Sequence, residues 1–244
     1  MLGRYLGLKR PEAVGRQTKM NNDEIIGMLE ERGGTYRLLA RLFFKPLTQE
    51  EIDALVVSGF AEAAWAGTDA CDEGCNDIAR YLRRRNTGTR EELACDFTSA
   101  FYGTITVEGR TAMPYESLFR FGGTQLMGVP QGEVYREFKA NRVRVPAGLD
   151  VPEDHLSFMF DYLALLCDRA IECVRCGDTS GAMEVLDKQR SFLTEHVTSW
   201  YADFQALASA IVQTRFYRGV LKLTGAFIGE EPGNIELLYE EMAA

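Results

Sequence analysis

Two histidines and two tryptophans in 244 residues, together with the lack of any run of eighteen apolar residues, leave several functional classes without material. With His155 and His196 as the only imidazoles, most histidine-based metal or acid–base centres cannot be assembled. No G-x-x-x-x-G-K-[ST] loop, G-x-S-x-G elbow or H-E-x-x-H pair occurs, so the common signatures of nucleotide, esterase and zinc-protease chemistry are missing. The expectation is a protein that is not an enzyme and carries no cofactor of its own. Short apolar runs exclude a membrane-spanning helix. Positive charge is also scarce: a net charge of −9 and a pI near 4.9 argue against general nucleic-acid binding, which needs a basic phosphate-contacting face. No segment alternates polar and apolar residues over the length of a strand, and there are no internal repeats.

What is present suits a soluble globular protein: 46% hydrophobic and 26% charged residues, and enough length to bury a core without disulfides or metal. The charge is unevenly spread. Residues 1–20 carry Arg4, Lys9, Arg10, Arg16 and Lys19 against Glu12, a net of +4, which leaves −13 for the rest. An acidic body attracts a basic peptide over long range, although acidity also simply keeps a protein soluble. The basic start lacks the apolar core and cleavage site of a secretory signal and reads as a disordered leader, with Met20 a second candidate start. A chain without an export signal stays in the cytoplasm, where six cysteines remain reduced thiols.

The hydrophobic period is helical nearly throughout. Asn22-Asp23 opens a helix through Ile25, Leu29, Tyr36, Leu39 and Phe43, stopped at Lys45-Pro46, with Gly33-Gly34 as a weak point inside it. Thr48-Gln49-Glu50-Glu51 is a capping box for a shorter helix. Further helices are expected over 76–85 and from Thr89 through Phe101. Glycine and proline punctuate 103–130, leaving a long connection with one helical turn around Glu116 to Arg120. A helix over 131–141 precedes a second break at Val145-Pro146-Ala147-Gly148. Asp150-Val151-Pro152-Glu153 then reads as a helix start, which puts Asp154-His155 in the first turn of a helix ending near Gly177. Helices over 180–197 and 198–227 follow, and a short acidic helix from Asn234 closes the chain.

Four blocks carry a family resemblance: Tyr36-Arg37-Leu38-Leu39-Ala40-Arg41-Leu42-Phe43 with Pro46; Asp96 to Gly103 with Pro114-Tyr115-Glu116-Ser117; Pro152-Glu153-Asp154-His155-Leu156 with Phe160-Asp161-Tyr162-Leu163; and Phe192 to Val197 with Trp200 and Phe216-Tyr217. In order and spacing they resemble the TorD/DmsD/NarJ chaperones of molybdoenzyme maturation. The resemblance implies an all-α bundle of two packed subdomains, 21–145 and 146–244, with a hinge at Pro146, Gly148 and Pro152. It also implies a role: binding the twin-arginine signal peptide, or an equivalent N-terminal leader, of the catalytic subunit of a molybdopterin oxidoreductase and holding it until the cofactor is inserted. Many members carry Glu where this chain has Asp161, and an acid where it has Met159. Hinged subdomains can exchange between protomers, so a homodimer is compatible with this organisation.

The candidate peptide-binding residues are Asp154, His155, Glu116, Tyr115, Tyr102 and Asp161. A carboxylate at Asp154 or Glu116 suits bidentate pairing with an arginine, and the tyrosines adjoin the irregular segment. Against this stand plain roles: a helix-start acid at Asp154, a packed His155, core packing for Phe97 and Phe101, and structural His196 and Trp200. Cys71-x-x-x-Cys75 with Cys173-x-x-Cys176 is a rival zinc set, and Cys95 and Cys167 read as core. The class-distinct alternative is a helical regulatory or scaffold protein that binds no leader.

Overall fold

The computed structural model describes residues 19–60, 70–122, 125–146 and 148–243. The basic segment at residues 1–18 lies outside them. The described residues form nine α-helices and one two-stranded hairpin, an all-α bundle. Helix α1 (Asn22–Phe44) starts with a capping box, Asn21 accepting from the Glu24 amide while the Glu24 side chain accepts from Asn21. Helix α2 (Gln49–Val57) repeats the device with Thr48 and Glu51, as its sequence predicts. Helix α3 (Ala70–Arg83) begins earlier than expected, and α4 (Thr89–Phe101) runs to the irregular segment.

That segment holds a short hairpin, β1 (Thr106–Val107) and β2 (Arg110–Thr111), then a 3-10 turn at Glu116–Leu118. Helix α5 (Val129–Ala140) follows, then α6 (Leu156–Arg175) and α7 (Thr179–Phe192). A π-helical stretch, Leu193–Thr198, links α7 to α8 (Ser199–Ile211), and α9 (Arg215–Ala243) ends the described chain.

The main packing pairs are α1 on α6 and α3 on α9, so one apolar cluster is built from both halves of the chain. Both pairs depend on glycine. Gly33, expected as a weakness of α1, is buried where α1 crosses α6, and a Cβ there would sit 3.2 Å from the Cys167 Cβ. Between α3 and α9 the backbones themselves meet: a Cβ on Gly74 would lie 2.6 Å from the Leu223 nitrogen. The helix-propensity cost of Gly33, about 1 kcal/mol, is outweighed by the contact it permits.

Three sequence expectations fail for tertiary reasons. The helix expected from Asp150 begins only at Leu156, because His155 is drawn into an isolated antiparallel bridge with Tyr115. The Glu116 amide donates to the Asp154 carbonyl at 3.1 Å and the Leu156 amide to the Pro114 carbonyl at 2.8 Å. Asp154 therefore precedes the helix, and His155 is its N-cap. The helix expected over 198–227 is broken at Val212 to Thr214, where the Asp96 carboxylate on α4 accepts from the Gln213 and Thr214 amides, both at 2.8 Å. The separate helix expected from Asn234 is the continuation of α9, which runs through Pro232 because Ile228, Ile235 and Leu238 keep one face in the core.

Candidate functional site

The bridge between Tyr115 and His155 gathers most of the sequence candidates at one junction. Asp154 is fully buried there, and its Oδ2 accepts from the Ser117 amide at 2.8 Å. Its Oδ1 has no hydrogen-bond partner among the described residues. Burial pushes the Asp154 carboxyl up, opposed by the bonds from Ser117 and reinforced by nearby Glu116. His155 Nδ1 accepts from the Ser157 amide at 3.1 Å, which places the ring proton on Nε2. Burial holds that imidazole down to about 3, so it is neutral. The His155 ring packs edge-on to Tyr115 at 4.8 Å and sits 5.8 Å from Phe158.

Glu116 is also buried, and it points to a different cluster. It is ion-paired with Arg120, and its carboxylate meets His196 Nδ1 at 3.1 Å. Arg120 reaches Glu133 at 3.4 Å. Glu116, Glu133 and His196 place potential ligand atoms within 4.8 Å of one another, and the Arg120 guanidinium already supplies positive charge to the two acids. The rival four-thiolate set is not brought together: among the described residues, no cluster of three or more potential metal ligands includes Cys71, Cys75, Cys173 or Cys176. Tyr102 is 51% exposed with its ring 5.2 Å from Phe97, and Tyr115 is half-buried beside it.

The side of α6 that carries Asp161 faces a groove of about 510 Å³. Its walls are Phe44 of α1, Phe138 of α5, Phe158, Tyr162 and Leu165 of α6, and Leu149 of the connecting segment; Asp161, Arg37 and Arg144 supply charge. Pro146 also lines it, whereas Asp154, Glu116 and Tyr102 do not. Sequence reasoning missed the aromatic walls. Their signal was the spacing of Phe158, Asp161, Tyr162 and Leu165 at i, i+3, i+4 and i+7 along one face of α6.

Desolvation by the groove walls pushes the Asp161 carboxyl up to about 6, an effect that Arg37 opposes. The folded chain thus keeps this proton to higher pH than the unfolded chain, whose carboxyl titrates near its ordinary 3.8. More protons bound in the folded state means that this group makes stability fall as pH rises from about 4 to about 6. Asp161→Asn is expected to flatten the pH dependence of unfolding in that window, measured by urea titration; an unchanged slope would remove Asp161 as its source.

Comparison with known proteins agrees with this architecture. The family described as nitrate reductase delta subunit matches residues 67–206. The chaperone protein TorD of Vibrio vulnificus is 31% identical over 209 residues, covering 84% of this chain and 94% of that protein. TorD of Vibrio cholerae is 28% identical over 218 residues, covering 87% and 95%. TorD of Shewanella pealeana is 26% identical over 208 residues, covering 81% and 86%. No helix among the described residues is long and apolar enough to cross a membrane. The family match includes the Tyr115–His155 junction and the relatives cover most of the chain, and on these grounds the chain belongs to the TorD/NarJ family of molybdoenzyme maturation chaperones, which are not enzymes.

Proposed function

We propose that this chaperone works in the cytoplasm by taking the N-terminal twin-arginine leader of a molybdopterin oxidoreductase catalytic subunit into the α1/α6 groove, and that it holds the subunit until its cofactor is inserted. The observation that carries this reading is the groove itself: about 510 Å³ lined by aromatic and aliphatic side chains, with a single acid, Asp161. An apolar stretch of peptide buries against such walls by the same physics that seats an amphipathic helix in a hydrophobic groove. Tyr115 and His155 back the groove through Phe158 rather than meeting the peptide at its centre. Tyr102 is exposed for contact with the rest of the client. Asp154 and Glu116 act from the interior, fixing the junction on which α6 starts. The segment holding Pro146, Gly148 and Pro152, with Gly148 at φ 93°, is where the two halves would pivot as the client enters.

Calorimetric titration with a synthetic leader peptide tests the reading. Wild type is expected to bind saturably, and Leu165→Lys, which puts a charge on the apolar wall, to weaken binding at least about tenfold. Leu165 is half-buried, so the folded state tolerates the longer side chain. Absence of saturable binding to wild type would leave a helical scaffold that binds no leader.

A further inference from the structure

The seam between α1 and α6 continues past the apolar groove. A second depression, about 820 Å³, lies between Glu30 and Glu31 on α1 and Asp168, Glu172 and Arg175 on α6. Arg37 borders both depressions. Residues 44 to 27 of α1 pass, in that order, opposite residues 158 to 175 of α6, so the two depressions lie end to end along about 25 Å of the seam at 1.5 Å per residue. Its two ends differ in chemistry. At the Phe44 end the walls are aromatic. At the Glu30 end, Asp168 is ion-paired with Arg37 and Glu30 with Arg175 at 3.1 Å. Glu31 and Glu172 are exposed and have no ion-pair partner among the described residues, so that end keeps unneutralised negative charge.

We infer that the leader lies parallel to α1, its basic amino-terminal end in the acidic half of the seam beside Glu31 and Glu172 and its apolar stretch in the aromatic half. This rests on the function proposed above and adds the direction of the peptide and the residues that read its charge. A twin-arginine leader is basic first and apolar second, which is the order of the two halves from Glu30 to Phe44. The reversed peptide would set its arginines among Phe158, Leu149 and Pro146, where Asp161 is the single acid and Arg144 repels them, while its apolar stretch would face carboxylates. The Arg37–Asp168 pair marks the crossing point between the halves, and Asp161 stands about two helical turns to the aromatic side of Asp168.

The probe is a synthetic peptide with Ser-Arg-Arg at its amino-terminal end, followed by about ten Leu and Ala residues, the length of a signal's apolar region. The Glu31→Gln/Glu172→Gln double variant is expected to bind it about tenfold more weakly and with a shallower dependence on salt. A control peptide with glutamines in place of both arginines should bind wild type and variant alike. With a nitroxide on the amino-terminal end of the arginine peptide, methyl signals of Ile171 should broaden while those of Leu149 persist. Equal affinity of variant and wild type, or broadening at Leu149 in place of Ile171, would overturn the orientation yet leave groove binding in place. Failure of wild type to bind either peptide would remove the groove reading and the orientation together.

Discussion

Arg32→Met is expected to lower the stability of the folded chain by about 3–5 kcal/mol, the usual consequence of removing one partner of a buried ion pair. Arg32 and Glu231 are 4% and 0% exposed, and the guanidinium Nε lies 3.0 Å from both Glu231 oxygens. Nη2 adds contacts of 2.8 Å to Glu231 and 2.7 Å to Gln189, so one side chain joins α1, α7 and α9. Burial works against the Arg32 charge, but the Glu231 carboxylate outweighs it and holds the guanidinium above its ordinary range. Methionine fills similar space and leaves the Glu231 charge with no cation in a dry interior. Urea unfolding of the variant would show the loss as a lower midpoint, and thermal unfolding as a drop of about 10 °C. Adding Glu231→Leu should recover most of it, because the unpaired charge and not the missing contact dominates the cost. A single variant within 1 kcal/mol of wild type would mean that water reaches Glu231.

Asp96→Ala is expected to cost about 2–4 kcal/mol, through three donors that lose one acceptor. The Asp96 carboxylate accepts from the Gln213 amide, the Thr214 amide and the Thr214 hydroxyl, at 2.8, 2.8 and 2.5 Å. Thr214 Oγ1 in turn accepts from the Tyr217 amide at 3.2 Å and caps the first turn of α9. Loss of Asp96 therefore frees the α8–α9 corner and the start of the helix that packs on α3. Hydrogen exchange should show the amides of 213–217 losing protection first. Leader affinity measured on the folded fraction should not change, since Asp96 is remote in sequence and contact from the groove walls. Unchanged protection at Gln213 and Thr214 would show that the corner is held by packing alone.

Local chemistry wrote much of the fold legibly. The capping box at Thr48, the stop at Lys45-Pro46 and the glycine–proline texture of 103–130 each act within a few residues, and each took the form its sequence predicts. The failures lie where a distant group competes with a local signal. Asp150-Val151-Pro152 has every local mark of a helix start, but the bridge from Tyr115 to His155 satisfies the backbone in another way and delays α6 to Leu156. The period through 198–227 is helical, yet Asp96 binds two amides at its middle and turns the chain.

The candidate site divides along the same line. The sequence by itself determined that the protein is helical and acidic, that it lacks the residues for the commoner catalytic centres, and that its motifs are those of the TorD/NarJ chaperones, because propensity, charge and motif are properties of the chain. The tertiary structure decided that Asp154 and Glu116 are interior residues bonded to Ser117, Arg120 and His196, while Asp161 stands on the wall of a groove. It also decided that the groove exists at all, because its walls come from α1, α5, α6 and the segment between the last two. An apolar side chain looks the same in a sequence whether it fills a core or lines an opening, and only the packing of helices far apart in the chain determines which of the two it does.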